Sequence, residues 1–153
     1  MYRNKKSVNA IANIRGGNGY PDLVGTATFV QTGKGVLVTV KVSNLPCELM
    51  CSGGIFALHI HEGESCSGNK DDRFANAKTH YNPHECPHPY HAGDLPPLIG
   101  NDGFAYMSVL TNRFTVDEII NKVIVVHENK DDFTTQPSGN AGTKIGCGKI
   151  IRV

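Results

Sequence analysis

Between Gly35 and Ser43 valine returns at every second position: Val36, Val38, Val40 and Val42 alternate with Gly35, Leu37, Thr39 and Lys41. Side chains of a strand point to opposite faces in turn, so this stretch is a strand with one face wholly apolar. Such a face must lie against another apolar surface, and the strand's backbone groups need neighbouring strands. The same period of two links Val8, Ala10, Ala12 and Ile14 across Asn9, Ile11 and Asn13. GTATFVQ (25–31) is rich in β-formers, and TGKG (32–35) is a turn that joins it to the valine strand. Further strands are expected at 54–61, 103–110, 122–127 and 145–153. Only FTVDEIIN (114–121) hints at helix, for two turns at most. The 17 glycines and 8 prolines suit many short strands and tight turns. The expected fold class is all-β: an antiparallel sandwich or barrel, with function in its loops.

A chain of 153 residues fits one domain and shows no repeat or linker, so 1–153 reads as a single unit. The net charge of +1 gives no electrostatic case for nucleic acid or an anionic membrane. No apolar run approaches the roughly 18 residues of a membrane-spanning helix. The opening MYRNKKSVNA is basic with no apolar segment behind it, so a cytoplasmic location is expected unless a leader has been trimmed. Five cysteines leave at least one unpaired in a monomer, and no C-x-x-C pair points to a zinc finger.

Two irregular segments, about 62–102 and 128–144, interrupt the strands, and loops of such length are usually functional or disordered. They and their borders hold most of the seven histidines. His59 and His61 stand two apart on a strand and so share a face, with Ile60 turned to the opposite, apolar side. His80, His84, His88 and His91 crowd into HYNPHECPHPYH (80–91), with Asp94 just beyond and His127 closing another strand. Imidazole nitrogen with carboxylate oxygen suits Zn²⁺ and Cu²⁺. Prolines 83, 87, 89, 96 and 97 stiffen the loop and lower the entropy lost when ligands converge. The competing reading is a solvated His-rich loop beside a strand end with two polar residues.

HIHEG (59–63), HYNP (80–83), HAGDL (91–95), VVHENKDD (125–132) and GNAGTKIGCG (139–148) resemble, in order and spacing, the signature segments of copper/zinc superoxide dismutases. The resemblance covers about 54–149, and the N-terminal third agrees only in its strand pattern. It implies a Greek-key β-sandwich, or flattened barrel, with two long functional loops. It also implies copper held by His59, His61, His80 and His127, and zinc held by His80, His88, His91 and Asp94, with His80 shared. Asp131 matches the family carboxylate that bonds one histidine of each set, here His59 and His88. Cys66 and Cys147 match the family disulfide. The implied activity is disproportionation of superoxide to O₂ and H₂O₂, with copper cycling between Cu(II) and Cu(I), zinc structural, and His80 supplying a proton. A homodimer is a possible assembly.

The chain departs from the family in several places. Lys144 stands where the family usually has an arginine at the copper mouth. Lysine keeps the charge without the planar fork, so the expectation is an enzyme somewhat below the family's usual efficiency. Only Pro89 and Tyr90 separate His88 from His91, so the zinc loop is short. Cys86 is expected to be a free thiol near the site, with a role as thiolate ligand the lesser alternative. His84 matches no ligand position and reads as an exposed loop residue. Cys47 and Cys51 either form a local bridge or are buried thiols. A copper-handling protein without turnover is the alternative function, and a zinc-stabilised binding sandwich a third. Copper-handling relatives lack some ligands or carry a C-x-C tail; this chain has all seven ligand positions and no cysteine in its closing KIIRV.

Overall fold

The computed structural model describes residues 9–46 and 52–153. Val8, Cys47 and Cys51 lie outside the described residues. Three long strands open the fold as a meander: β1 (Asn9–Gly16), β2 (Val24–Thr32) and β3 (Gly35–Ser43). Then come β4 (Ile55–Phe56), β5 (Leu58–His61), β6 (Leu98–Ile99) and β7 (Ala105–Thr111), the single-turn helix α1 (Val116–Ile119), β8 (Val123–His127) and β9 (Lys144–Arg152). The main sheet runs β5-β8-β9-β1-β2-β3-β7, with β4 and β6 paired apart from it. Every pairing is antiparallel. The chain leaves β3 near one end of the sheet and re-enters at the opposite end as β5, the long crossing of a Greek key.

The period-2 residues meet as expected. Val36, Val38, Val40 and Val42 are wholly buried and share one core with Ala12 and Ile14 of β1, Phe29 of β2, Ile60 of β5, Ile124 of β8 and Ile150 of β9. Strands from the whole length of the sheet fill this one core, so the sheet curls on itself as a flattened barrel. Burying each large aliphatic side chain contributes about 1.5–3 kcal/mol.

The strand expected over 54–61 is split in two at Ala57. Its N–H donates to the carbonyl of Asn129, and its own carbonyl accepts from His127 N–H. These bonds to the segment after β8 replace a continuous strand. The helical stretch of 114–121 shortens to α1 because Ile120 turns to an extended backbone, φ −58°, ψ 137°. Glu118 accepts from both the N–H and the hydroxyl of Thr115 and so closes the first turn.

The opposite face of β5 and β8 positions the site. Outward-facing Val123 and Val125 form a smaller apolar cluster with Phe74, Ala77 and Cys147, and Cys66 packs against it. The Cys66–Cys147 disulfide ties this cluster together, with an S–S distance of 2.04 Å and Cα atoms 5.6 Å apart. The first long loop is thereby stapled to the last strand, over a sequence separation of 81.

Candidate metal centre

His59 and His61 lie opposite Val125 and Val123 in the β5–β8 register. They point out of the barrel, while Ile60 points into the core. His127 ends β8 on the same outward side. Between Val126 and His127 the register skips a residue: Val126 faces Gly146, but His127 faces Lys144. This irregularity sends Ile145 into the core and sets Lys144 beside His127.

The loop donors reach the strand donors through the backbone. Ile60 N–H donates to Gly93 O, Tyr81 N–H to Ile60 O, and Gly93 N–H to Tyr81 O, each at 2.8 Å. A Cβ on Gly93 would lie 2.2 Å from the Ile60 carbonyl, so this approach requires glycine. Bridge pairings then place Asp94 against His59 and His80 against His61.

Two groups of donors result, each with all ligand atoms within 4.8 Å of one another: His59, His61, His80 and His127, and then His80, His88, His91 and Asp94. All seven residues are buried. Six imidazoles and one carboxylate packed this closely need a reason beyond mutual contact. The ring nitrogens supply it. His59 Nδ1, His80 Nε2 and His88 Nδ1 are buried without a hydrogen-bond partner, although Asp94 Oδ2 lies 3.0 Å from His88 Nδ1 in non-bonding geometry. His61 Nε2 and His127 Nε2 face each other at 3.1 Å. His80 Nδ1 lies 2.8 Å from Asp94 Oδ1 and 3.2 Å from His91 Nδ1. An all-nitrogen set suits copper, and a three-nitrogen, one-oxygen set suits zinc, so the donors fit both metals.

Asp131 binds the two groups together. Its Oδ2 lies 2.7 Å from His59 Nε2, and its Oδ1 lies 2.8 Å from His88 Nε2. Burial works against the charged carboxylate, but the bonds to His59 and His88 and from Phe133 N–H outweigh it, holding Asp131 below the usual carboxylate range. With its outer nitrogen engaged, each ring must offer the other nitrogen inward. Gly139, at φ 68°, leaves room for this contact; a Cβ there would lie 2.0 Å from Asp131 Oδ1. Burial also pushes His59, His61, His91 and His127 below the ordinary imidazole range, His127 to about 3. Neutral imidazole is the ligating form.

Some supporting residues carry no mark in the sequence. Gln136 takes the His88 N–H on Oε1 at 2.9 Å and gives Nε2–H to the His88 carbonyl at 2.7 Å, which pins that backbone to the 128–144 loop. Arg113 Nη1 reaches the carbonyls of Pro89 at 3.0 Å and His91 at 3.3 Å from the far end of β7. Asp72 pairs with Lys144. No motif or spacing marks these contacts, because each depends on a loop path. His84 is exposed, and Cys86 is a free thiol in neither ligand group. A cleft of about 500 Å³ opens over the first group, lined by His61, His80, His127, Lys78, Glu62 and Lys144.

A curled Greek-key sheet with two adjoining donor sets on its outer face defines a β-barrel protein with candidate sites for two metal ions. Residues 23–150 match the model of the family described as "Copper/zinc superoxide dismutase (SODC)". A superoxide dismutase [Cu-Zn] of Deinococcus radiodurans is 33% identical over 144 residues, covering 82% of this chain and 76% of that protein. One of Legionella pneumophila is 33% identical over 138 residues, covering 85% and 79%. The solved structure titled "Cu/Zn superoxide dismutase from Brucella abortus" superimposes with a TM-score of 0.77 at 25% identity, covering 92% of this chain and 98% of that one. The chain belongs to the copper/zinc superoxide dismutase family. It is an oxidoreductase acting on superoxide, with copper and zinc as its metals. Among the described residues no helix is long and apolar enough to cross a membrane.

Proposed function

We propose that His59, His61, His80 and His127 hold the copper and that His80, His88, His91 and Asp94 hold the zinc, with His80 common to both. One observation carries this reading: the His80 ring offers Nδ1 to one donor set, while its Nε2 is buried and unpartnered in a ring whose centroid lies 4.9 Å from that of His61 in the other. Copper cycling between Cu(II) and Cu(I) would supply the electron exchange that turns one superoxide into O₂ and a second, with two protons taken up, into H₂O₂, while redox-inert zinc would be structural.

The chain supplies the rest. Asp131 and the Lys78 carbonyl, 2.8 Å from His61 Nδ1, fix the ring orientations. His80 Nε2, in a ring that lines the cleft, would hold a proton when it is free of copper and deliver it as one of the two that peroxide formation takes up. Lys144 attracts the anion from the cleft wall. The reading also takes 1–153 as one domain, cytoplasmic unless a leader has been trimmed, with a homodimer as a possible assembly. Leu37 and Leu110, paired across β3 and β7 and both exposed, support a face for a second copy. The Cys66–Cys147 disulfide favours the exported case, since such bonds persist in oxidising compartments.

Reconstitution of single variants tests the shared ligand. His80→Ala is expected to lower the capacity for copper and zinc together, whereas His91→Ala lowers zinc alone, as read by metal analysis after dialysis. Equal effects of the two variants on both metals contradict the assignment.

A further inference from the structure

Lys144 stands at a boundary. It lines the cleft over the candidate copper ligands and also a neighbouring groove whose rim carries Asp72. Its ammonium lies 2.5 Å from Asp72 Oδ2. The Lys144 side chain is 18% exposed and that of Asp72 41%, so both reach water but neither is far out in it.

Asp72 is tightly held. Its Oδ1 accepts from Phe74 N–H at 3.0 Å, and its own N–H donates to Asn69 Oδ1 at 2.9 Å. Its carbonyl accepts from the N–H of Asn69 at 2.9 Å and of Ala75 at 3.2 Å. Phe74 sits in the small cluster beneath the disulfide, and Cys147 of that disulfide follows Lys144 by three residues. Both partners are therefore fixed to the same staple.

A lysine ammonium is a compact charge on a flexible stem and is placed by whatever it binds. A carboxylate at contact also cancels part of its field. We propose that Asp72 is a positioning residue for Lys144, fixing the ammonium in the cleft wall and withholding part of its charge from the approaching superoxide. This rests on the assignment of Lys144 as the steering cation. It also gives a physical source for lower efficiency besides the missing guanidinium fork.

The test uses the copper- and zinc-loaded enzyme. It measures kcat/KM for superoxide against ionic strength, and azide binding to the copper form by visible absorption. Asp72→Asn keeps the size and an acceptor for Phe74 N–H but removes the charge. It is expected to raise kcat/KM and tighten azide by about two- to fivefold at low salt, with a steeper salt dependence. The difference should vanish near 1 M salt, where screening acts within about 3 Å. Asp72→Ser is the second neutral variant, and Asp72→Glu should restore the native salt slope. Neutralising the adjacent, exposed Asp71 should leave all readouts near native values.

An Asp72→Asn enzyme with unchanged or lowered kcat/KM and an unchanged salt slope overturns the proposal. An Asp71→Asn enzyme that behaves the same as Asp72→Asn does so too. Lys144→Ala separates the two assignments, because it leaves Asp72 unpaired at the cleft and should lower kcat/KM with a weakened salt dependence. If it changes neither quantity, the steering role of Lys144 falls and the proposal with it. If it acts while Asp72→Asn does not, only the role of Asp72 falls.

Discussion

Replacing Cys66 and Cys147 by serine is expected to lower the unfolding free energy of the metal-free protein by about 4 kcal/mol, from the loop-closure entropy of a link 81 residues long. That is roughly a thousandfold in the folded-to-unfolded ratio. Cys147 belongs to the small cluster of Phe74, Ala77, Val123 and Val125, where it is 2% exposed, and Cys66 packs against it. Loss of the bond therefore frees the loop that carries Asp72 and places a hydroxyl in an apolar site. Urea denaturation read by circular dichroism checks this, comparing the native protein, the reduced protein and the double variant. The reduced protein and the variant should share a lowered midpoint. A midpoint unchanged from the native one contradicts the structural role of the link.

Asp131→Ala is expected to weaken copper and zinc together by about 10–100-fold. The same carboxylate orients one ring of each set, His59 through Oδ2 and His88 through Oδ1. Competition with a chelator of known affinity measures both constants, and loss confined to one metal contradicts the bridging role. The variant also carries a pH signature. Because native bonds hold Asp131 below the usual carboxylate range, its contribution to stability is complete above the unfolded value of about 4 and is lost as the pH falls through the depressed native value. The metal-free native protein should therefore lose more stability on acidification through that range than the metal-free alanine variant does.

Alternation alone made much of this fold legible. Val36 to Val42 and Ala10 to Ile14 declare which face is buried, and the structure buries that face. The same parity places His59 and His61 on one side and Ile60 on the other. Parity misleads where the register slips. Read as a regular strand from 145, β9 gives no account of Lys144, whereas the irregularity after Val126 swaps it with Ile145. Ala57 breaks its strand because of a partner beyond β8, and no local residue signals that bond. The seven donors that the fold gathers were readable because short motifs in the sequence carry them. Gln136, Arg113 and Asp72 were not, since each acts on backbone or on a single charge reached by a folded loop.

The central proposal is that two ions are shared among the seven donor side chains, with His80 in both of the sets that the fold brings together. Metal analysis of protein reconstituted with copper and zinc, paired on the same sample with a superoxide dismutation assay, tests this most directly. One copper and one zinc per chain with rapid turnover is the predicted result. A single ion per chain, or copper bound in full with no turnover, would contradict it.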